Sequence, residues 1–246
     1  MFLNDNALII GHRGLCAFAP ENTLPSFLKA AQEGLEWVEF DIQLTSDMKL
    51  IVFHDDTLAR TTNGEGLVFK KTLSELQQLD AGSWFAPSFQ KTTLSTLDEV
   101  LLFLEAHHLQ ANIEIKATPE QWEATVNTFL PYLQRWPRGK PYPFVSSFEH
   151  KALAQCRASF PQLPIGYLVE KINPEAIQLV MNDPFSSLNC SHKHNTLDDY
   201  RILIQKNIPV FIYTVNEPHE AQTLFNAGIH GIFTDCLTPS LLRTSP

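Results

Sequence analysis

The sequence predicts an α/β fold, a closed (β/α)8 barrel formed by residues 1–246 as a single domain. Three observations carry that expectation. Short β-branched runs alternate with helix-period segments along nearly the whole chain, which argues for a parallel sheet. The alternating units number about eight, which favours closure into a barrel over an open doubly wound sheet. Hydrophobic residues make up 44% and charged residues 18% of the chain, enough apolar material for one large core and too much for disorder.

The first unit is the strand-like run Ala7–Ile10, followed by the helical pattern Leu24–Glu33. Next comes Trp37–Leu44, whose apolar residues alternate with others as a strand requires. Leu50–Phe53 is a short apolar run and predicts another strand. From Asp55 to about Ser95 the rhythm breaks into Thr-Thr-Asn-Gly-Glu-Gly, a short helix pattern at Leu73–Leu79, and Ala-Gly-Ser-Trp-Phe-Ala-Pro. That stretch is too long for a βα loop, so residues 55–95 are expected to form a small module inserted over the barrel mouth. Alternation resumes with helix Leu97–His107, strand Ala111–Lys116, helix Pro119–Gln134, strand Pro143–Ser146 and helix Lys151–Ser159. Strand runs follow at Pro164–Leu168 and Phe185–Leu188. Helix Leu197–Lys206, strand Pro209–Val215, helix His219–Ala227 and strand Gly231–Thr234 complete the series.

Eighteen Lys and Arg against 27 Asp and Glu leave a net charge of −9, and no basic run relieves it. Nucleic-acid binding, which draws its affinity from many basic contacts, is therefore not expected. A phosphorylated small molecule remains compatible if a few cations or a metal gather locally. The N-terminal residues lack a basic signal-peptide region, and no apolar run approaches the ~20 residues of a membrane span. Cys16, Cys156, Cys190 and Cys236 are widely spaced without a C-x-x-C pair. Reduced thiols in a cytoplasmic protein, with no stable membrane insertion, are the expectation.

Residues two apart share a face of a strand. In Trp37–Leu44 this puts Val38, Phe40 and Ile42 on one face and Trp37, Glu39 and Asp41 on the other. In Ala111–Lys116, Asn112, Glu114 and Lys116 oppose Ile113 and Ile115. Inward carboxylates repel one another and lose hydration, so they need a cation or a proton between them. Glu39, Asp41 and Glu114 suit a hard divalent cation, Mg2+ or Ca2+, because such ions prefer oxygen ligands. His12 follows the first strand and His54 follows Leu50–Phe53, each at a strand end, where barrel active sites lie. Two imidazoles near one phosphorus can act as base and acid. Arg13 can fork onto phosphate oxygens and Lys116 can add a point charge. His107 and His108 close a helix pattern, and His192-Lys193-His194 reads as solvated surface rather than a metal pair. Gly64 and Gly66 indicate turns, and Trp84 and Phe85 fit either a lid or the small core of the 55–95 module.

Together these residues resemble the glycerophosphodiester phosphodiesterase family. The supporting strings are His12-Arg13-Gly14, Glu21-Asn22-Thr23, Glu39-Phe40-Asp41, Val52-Phe53-His54-Asp55 and Arg60-Thr61-Thr62-Asn63-Gly64. Thr96-Leu97-Asp98-Glu99-Val100, Glu114-Ile115-Lys116, Tyr213-Thr214-Val215-Asn216 and Gly231-Ile232-Phe233-Thr234-Asp235 continue them in family order over nearly the whole chain. The resemblance implies a TIM barrel with a characteristic insert that hydrolyses a small-molecule glycerophosphodiester to glycerol 3-phosphate and an alcohol with a divalent metal. By position it implies Glu39, Asp41 and Glu114 as metal ligands and His12 and His54 as the catalytic pair. It also implies Arg13, Lys116 and Tyr213 as substrate-binding residues. Tyr213 stands where the family often has Trp, and Ser95 where Pro often precedes the Thr-Leu pair. A phospholipase D-like or phosphoinositide-cleaving barrel is the rival enzyme, but no basic cluster for a lipid surface is evident. A barrel that only binds a phosphorylated ligand is the rival of another class, and it has no use for an acid–base pair.

Overall fold

A computed structural model of the chain describes residues 7–116, 118, 121–137, 139–181 and 183–244. Its strands are β1 (Leu8–Gly11), β2 (Trp37–Leu44), β3 (Leu50–Val52), β4 (Gln110–Ile115), β5 (Phe144–Ser147), β6 (Ile165–Val169), β7 (Ser186–Ser191), β8 (Val210–Tyr213) and β9 (Gly231–Thr234). β1 pairs in parallel with both β2 and β9, and the ladder β2–β4–β5–β6–β7–β8–β9 closes the ring. The fold is a (β/α)8 barrel.

β3 is the strand that departs from the sequence expectation. It is no barrel stave: it pairs antiparallel to β2, with Val52 opposite Ile42 and Leu50 opposite Leu44. The connection decides this. Thr45 N donates to Lys49 O at 2.9 Å and Met48 takes a φ of 60°, so the chain turns straight back. A parallel return would need a crossover of about a dozen residues.

The helices are α1 (Leu24–Gln32), α2 (Leu73–Leu76), α3 (Leu97–Ala106), α4 (Trp122–Gln134), α5 (His150–Ser159), α6 (Pro174–Val180), α7 (Leu197–Gln205), α8 (Pro218–Asn226) and α9 (Pro239–Thr244). Residues 119 and 120, where the expected fourth-strand helix begins, lie outside the described residues. α6 and α9 escape the sequence reading because seven and six residues show too little of a helical period. α3 starts on a reciprocal cap: Thr96 accepts from Glu99 N, and the Glu99 carboxylate accepts from Thr96 N. No described helix is long and apolar enough to cross a membrane.

Alternation along β2 sorts side chains between two layers. Val38, Phe40, Ile42 and Leu44 join the cluster that includes Phe27 and Ala30 of α1 and Leu97 and Val100 of α3. Inside the ring, Ile10, Phe144, Phe211 and Phe233 form a separate apolar plug, with Leu8, Trp37 and Tyr213 packed against it. Fully burying each aromatic ring stabilises the fold by about 1.5–3 kcal/mol. A Cβ on Gly166 of β6 would lie 2.7 Å from Phe144 Cζ and 2.5 Å from Asn189 Nδ2. Only glycine lets the plug close there.

From β3 to α3 the chain carries its own small cluster, Ile51, Phe53, Leu58, Val68, Leu76, Ala81 and Leu94. Trp84 and Phe85 lie outside it. Trp84 is 40% exposed and meets Phe85 edge to face. Asp80 ties this stretch together by accepting from Gly82 N, Ser83 N and Lys91 N, each at 2.8 Å. Those backbone donors, Lys91 N first, hold its carboxyl well below the usual carboxylate range. A depressed folded pKa gives stability that is complete above the unfolded value of about 3.9 and lost as pH falls through the folded value. Asp80→Asn is therefore expected to melt below the wild type at pH 7, with the gap shrinking as pH drops under 4. Thermal unfolding of both proteins across that range checks it, and a pH-independent gap would exclude this role for the charge.

Candidate active site

The C-terminal ends of β1, β2, β4 and β8 meet around a cavity of about 180 Å3. Seven of the eight residues singled out in the sequence line it: His12, Arg13, Glu39, His54, Glu114, Lys116 and Tyr213. The eighth, Asp41, is 1% exposed and has a carboxylate oxygen within 4.8 Å of oxygens of Glu39 and Glu114. Parallel register produces the convergence, because β2 and β4 place Asp41 beside Glu114 and Glu39 beside Asn112. His54 arrives by another route than expected. It follows the antiparallel β3, which runs back toward the mouth, and Phe53 N donates to Asp41 O at 3.0 Å.

The three carboxylates are incompletely paired. Glu39 Oε1, Asp41 Oδ1 and Glu114 Oε1 are buried without a hydrogen-bond donor. Glu114 Oε1 has only an ion-pair contact, 3.1 Å from Lys116 Nζ and outside hydrogen-bonding geometry. Burial, reinforced by the charges of Asp41 and Glu114, drives the Glu39 carboxyl well above its usual range. Burial and Asp41 likewise raise Glu114. Burial also pushes Asp41 upward, but Lys116, Arg13 and His54 outweigh it, and this carboxyl ends below its ordinary value. Three orphaned oxygens from a wholly oxygen donor set fit a hard divalent cation, which would replace the missing donors and cancel the crowding.

The loop after β1 is held in an unusual shape. Arg13 has φ 51° and Gly14 φ 91°. A Cβ at Gly14 would fall 2.3 Å from Ser26 Oγ, so glycine is required after Arg13. The turn lets Arg13 N donate to Glu39 Oε2 at 2.8 Å while Arg13 Nη1 donates to Glu21 at 2.7 Å. Asn22, at φ 57°, donates from Nδ2 to Asp41 Oδ2 at 2.8 Å.

Each histidine has a carboxylate on Nδ1. His12 Nδ1 lies 2.7 Å from Asp235 Oδ1, and Asn216 Nδ2 donates to the other oxygen of Asp235 at 2.7 Å. His54 Nδ1 lies 2.6 Å from Asp55 Oδ1. Such a partner favours the proton on Nδ1 and leaves Nε2 as the nitrogen that can meet a substrate. His54 Nε2 is 3.1 Å from Lys116 Nζ. Burial, helped by Lys116 and Arg13, moves the His54 pKa below its ordinary value despite Asp41. Asp235, Asp55, Glu21, Asn22 and Arg60 all sit in the strings that carry the family resemblance, but their pairings across the fold were not readable from spacing.

Tyr213 lines the cavity with its ring, since its hydroxyl donates to Val169 O at 3.0 Å. His192, set aside in the sequence, has Nε2 at 3.2 Å from Glu220, and His107 stacks on Phe103 with centroids 4.2 Å apart. A larger cavity of about 440 Å3 lies at the opposite end of the barrel, between α3 and the end of α4, near Gln110 and Trp136. It holds none of the converging groups. Chemistry, not volume, locates the site.

Known proteins share this arrangement of chain. A solved phosphodiesterase from Oleispira antarctica, in complex with the product sn-glycerol-3-phosphate, superposes with a TM-score of 0.89 at 33% identity, covering 96% of this chain and 95% of that one. A glycerophosphodiester phosphodiesterase of Caldanaerobacter subterraneus subsp. tengcongensis is 32% identical over 229 residues, 93% of each chain. One from Bacillus subtilis is 31% identical over 253 residues, 94% of this chain and 84% of its own. Fold and likeness together define a phosphoric diester hydrolase built on a (β/α)8 barrel. The profile of the glycerophosphoryl diester phosphodiesterase family matches residues 12–238, and the chain belongs to that family.

Proposed function

We propose that the chain is one catalytic domain, with residues 55–95 as a module over its mouth, that hydrolyses glycerophosphodiesters to glycerol 3-phosphate and an alcohol. The observation that carries this reading is one small cavity lined by two carboxylate-oriented histidines, Arg13 and Lys116 beside three carboxylates. Glu39, Asp41 and Glu114 would hold a divalent cation, Mg2+ or Ca2+. When bound, that ion supplies Lewis-acid neutralisation of the phosphoryl oxygens. Arg13 and Lys116 bind the phosphate anion, and the Tyr213 ring borders the alcohol. His12 takes the proton of the attacking hydroxyl, and His54, when it carries a proton on Nε2 as well as Nδ1, gives that Nε2 proton to the leaving oxygen as the phosphorus–oxygen bond breaks. The nucleophile is water, or the substrate's own glycerol 2-hydroxyl, which would expel the alcohol to leave a cyclic phosphate that water then opens to glycerol 3-phosphate; turnover of an analogue lacking that hydroxyl separates the two. Four free thiols accord with action in the cytoplasm on a soluble small molecule.

Release of glycerol 3-phosphate with and without EDTA tests the reading. Activity should vanish on chelation and return with Mg2+ or Ca2+. Undiminished hydrolysis after chelation would refute the metal requirement, and no hydrolysis with any divalent ion would refute the reaction.

A further inference from the structure

Arg60 lies on the stretch after β3, and its guanidinium forks onto two carboxylates at once. Nε and Nη2 donate to Asp55 at 2.6 and 2.8 Å, while Nη1 and Nη2 donate to Glu21 at 2.8 and 2.7 Å. Each carboxylate carries the connection inward, Asp55 to His54 Nδ1 at 2.6 Å and Glu21 to Arg13 Nη1 at 2.7 Å. The result is a continuous chain of five side chains, His54–Asp55–Arg60–Glu21–Arg13. Its ends are two residues that line the same cavity, and its centre is 45% exposed. The Glu21 and Asp55 side chains are only 11% and 23% exposed. Without a cation between them, two such carboxylates repel and each pulls away from its partner. A planar fork satisfies both at once, whereas an ammonium does not.

We propose that Arg60 is a positioning residue that ties His54 and Arg13 into one rigid unit, so that phosphate binding and proton delivery to the leaving group stay in register. The inference rests on the roles proposed above for those two residues. A residue that merely fastened the segment after β3 would lower stability without touching the two functions selectively.

The test compares Arg60→Ala and Arg60→Lys on a diester of an alkyl alcohol and on its nitrophenyl counterpart, together with inhibition by sn-glycerol 3-phosphate. Misplacement of a catalytic group costs about 10^2-fold, and Arg60→Ala is expected to lose that much kcat/KM on the alkyl diester. The loss should be clearly smaller with nitrophenol, which needs little protonation, and the inhibition constant should rise because Arg13 is loosened. Arg60→Lys should recover little. Equal losses on both diesters with unchanged inhibition, or full recovery by lysine, would overturn the proposal. Should Arg60→Ala not fold, Asp55→Asn, Glu21→Gln and their double variant serve instead. A connected unit predicts that the double loses less than the product of the single losses, and simple multiplication overturns it. Wild-type behaviour of His54→Ala would sink the underlying reading itself. An impaired His54→Ala beside a fully active Arg60→Ala would sink the coupling alone.

Discussion

Glu39→Gln and Glu114→Gln are expected to lose about 10^3-fold or more in turnover while remaining folded. The figure follows from a bound cation's several kcal/mol of charge stabilisation in the transition state, at 1.36 kcal/mol per tenfold in rate. Each substitution keeps the shape of the side chain and removes the charge that the cation needs. The variants should also betray themselves in metal-free buffer. Glu39 and Glu114 are raised above their ordinary values by burial and by neighbouring carboxylates. A carboxylate with a raised folded pKa binds its proton more tightly when folded, so the wild type loses stability as pH climbs from about 4.3 through the raised value. The glutamine variants escape that loss. Without metal they should melt above the wild type at pH 8 and converge with it near pH 4. Added Mg2+ or Ca2+ should reverse the order at pH 8. Full activity in either variant, or a wild type whose melting ignores divalent ions, would exclude the carboxylate site.

His12→Ala and His54→Ala are each expected to lose about 10^2–10^4 in kcat/KM, the usual worth of general acid or base help. The two losses should differ in kind. Nitrophenolate departs without a proton, so the variant lacking the acid should regain much of its rate on a nitrophenyl diester, and the variant lacking the base should not. With His12 as base and His54 as acid, rescue belongs to His54→Ala. Rescue of His12→Ala alone reverses the assignment, and equal rescue of both, or of neither, dissolves it. The carboxylates on Nδ1 give the histidines similar tautomers, so their distinction must come from what surrounds each Nε2. Lys116 stands 3.1 Å from that atom of His54.

Much of the barrel is legible in the sequence because β2 and β4 obey a strict two-residue alternation, which assigns Glu39, Asp41 and Glu114 to the inner face. β3 was misplaced for a reason of the same kind. Alternation and apolarity say that Leu50–Val52 is a strand, but not which way it runs. The few residues between Leu44 and Leu50 held that information, since no parallel crossover fits there. Individual catalytic candidates could be read from strand ends, whereas Asp235 beside His12 joins residues 223 positions apart. Such pairings depend on closure of the ring, and a single sequence carries no distance across it. α6 and α9 were lost to brevity.

The apolar plug of Ile10, Phe144, Phe211 and Phe233 sets a rule of traffic. With the interior stoppered below, the reaction chamber is a cul-de-sac, and whatever enters must back out the way it came. The alcohol and glycerol 3-phosphate then queue for one doorway, and a fresh substrate molecule waits behind both. If Arg13 and Lys116 hold phosphate as proposed, the phosphorylated half would be the slower to leave.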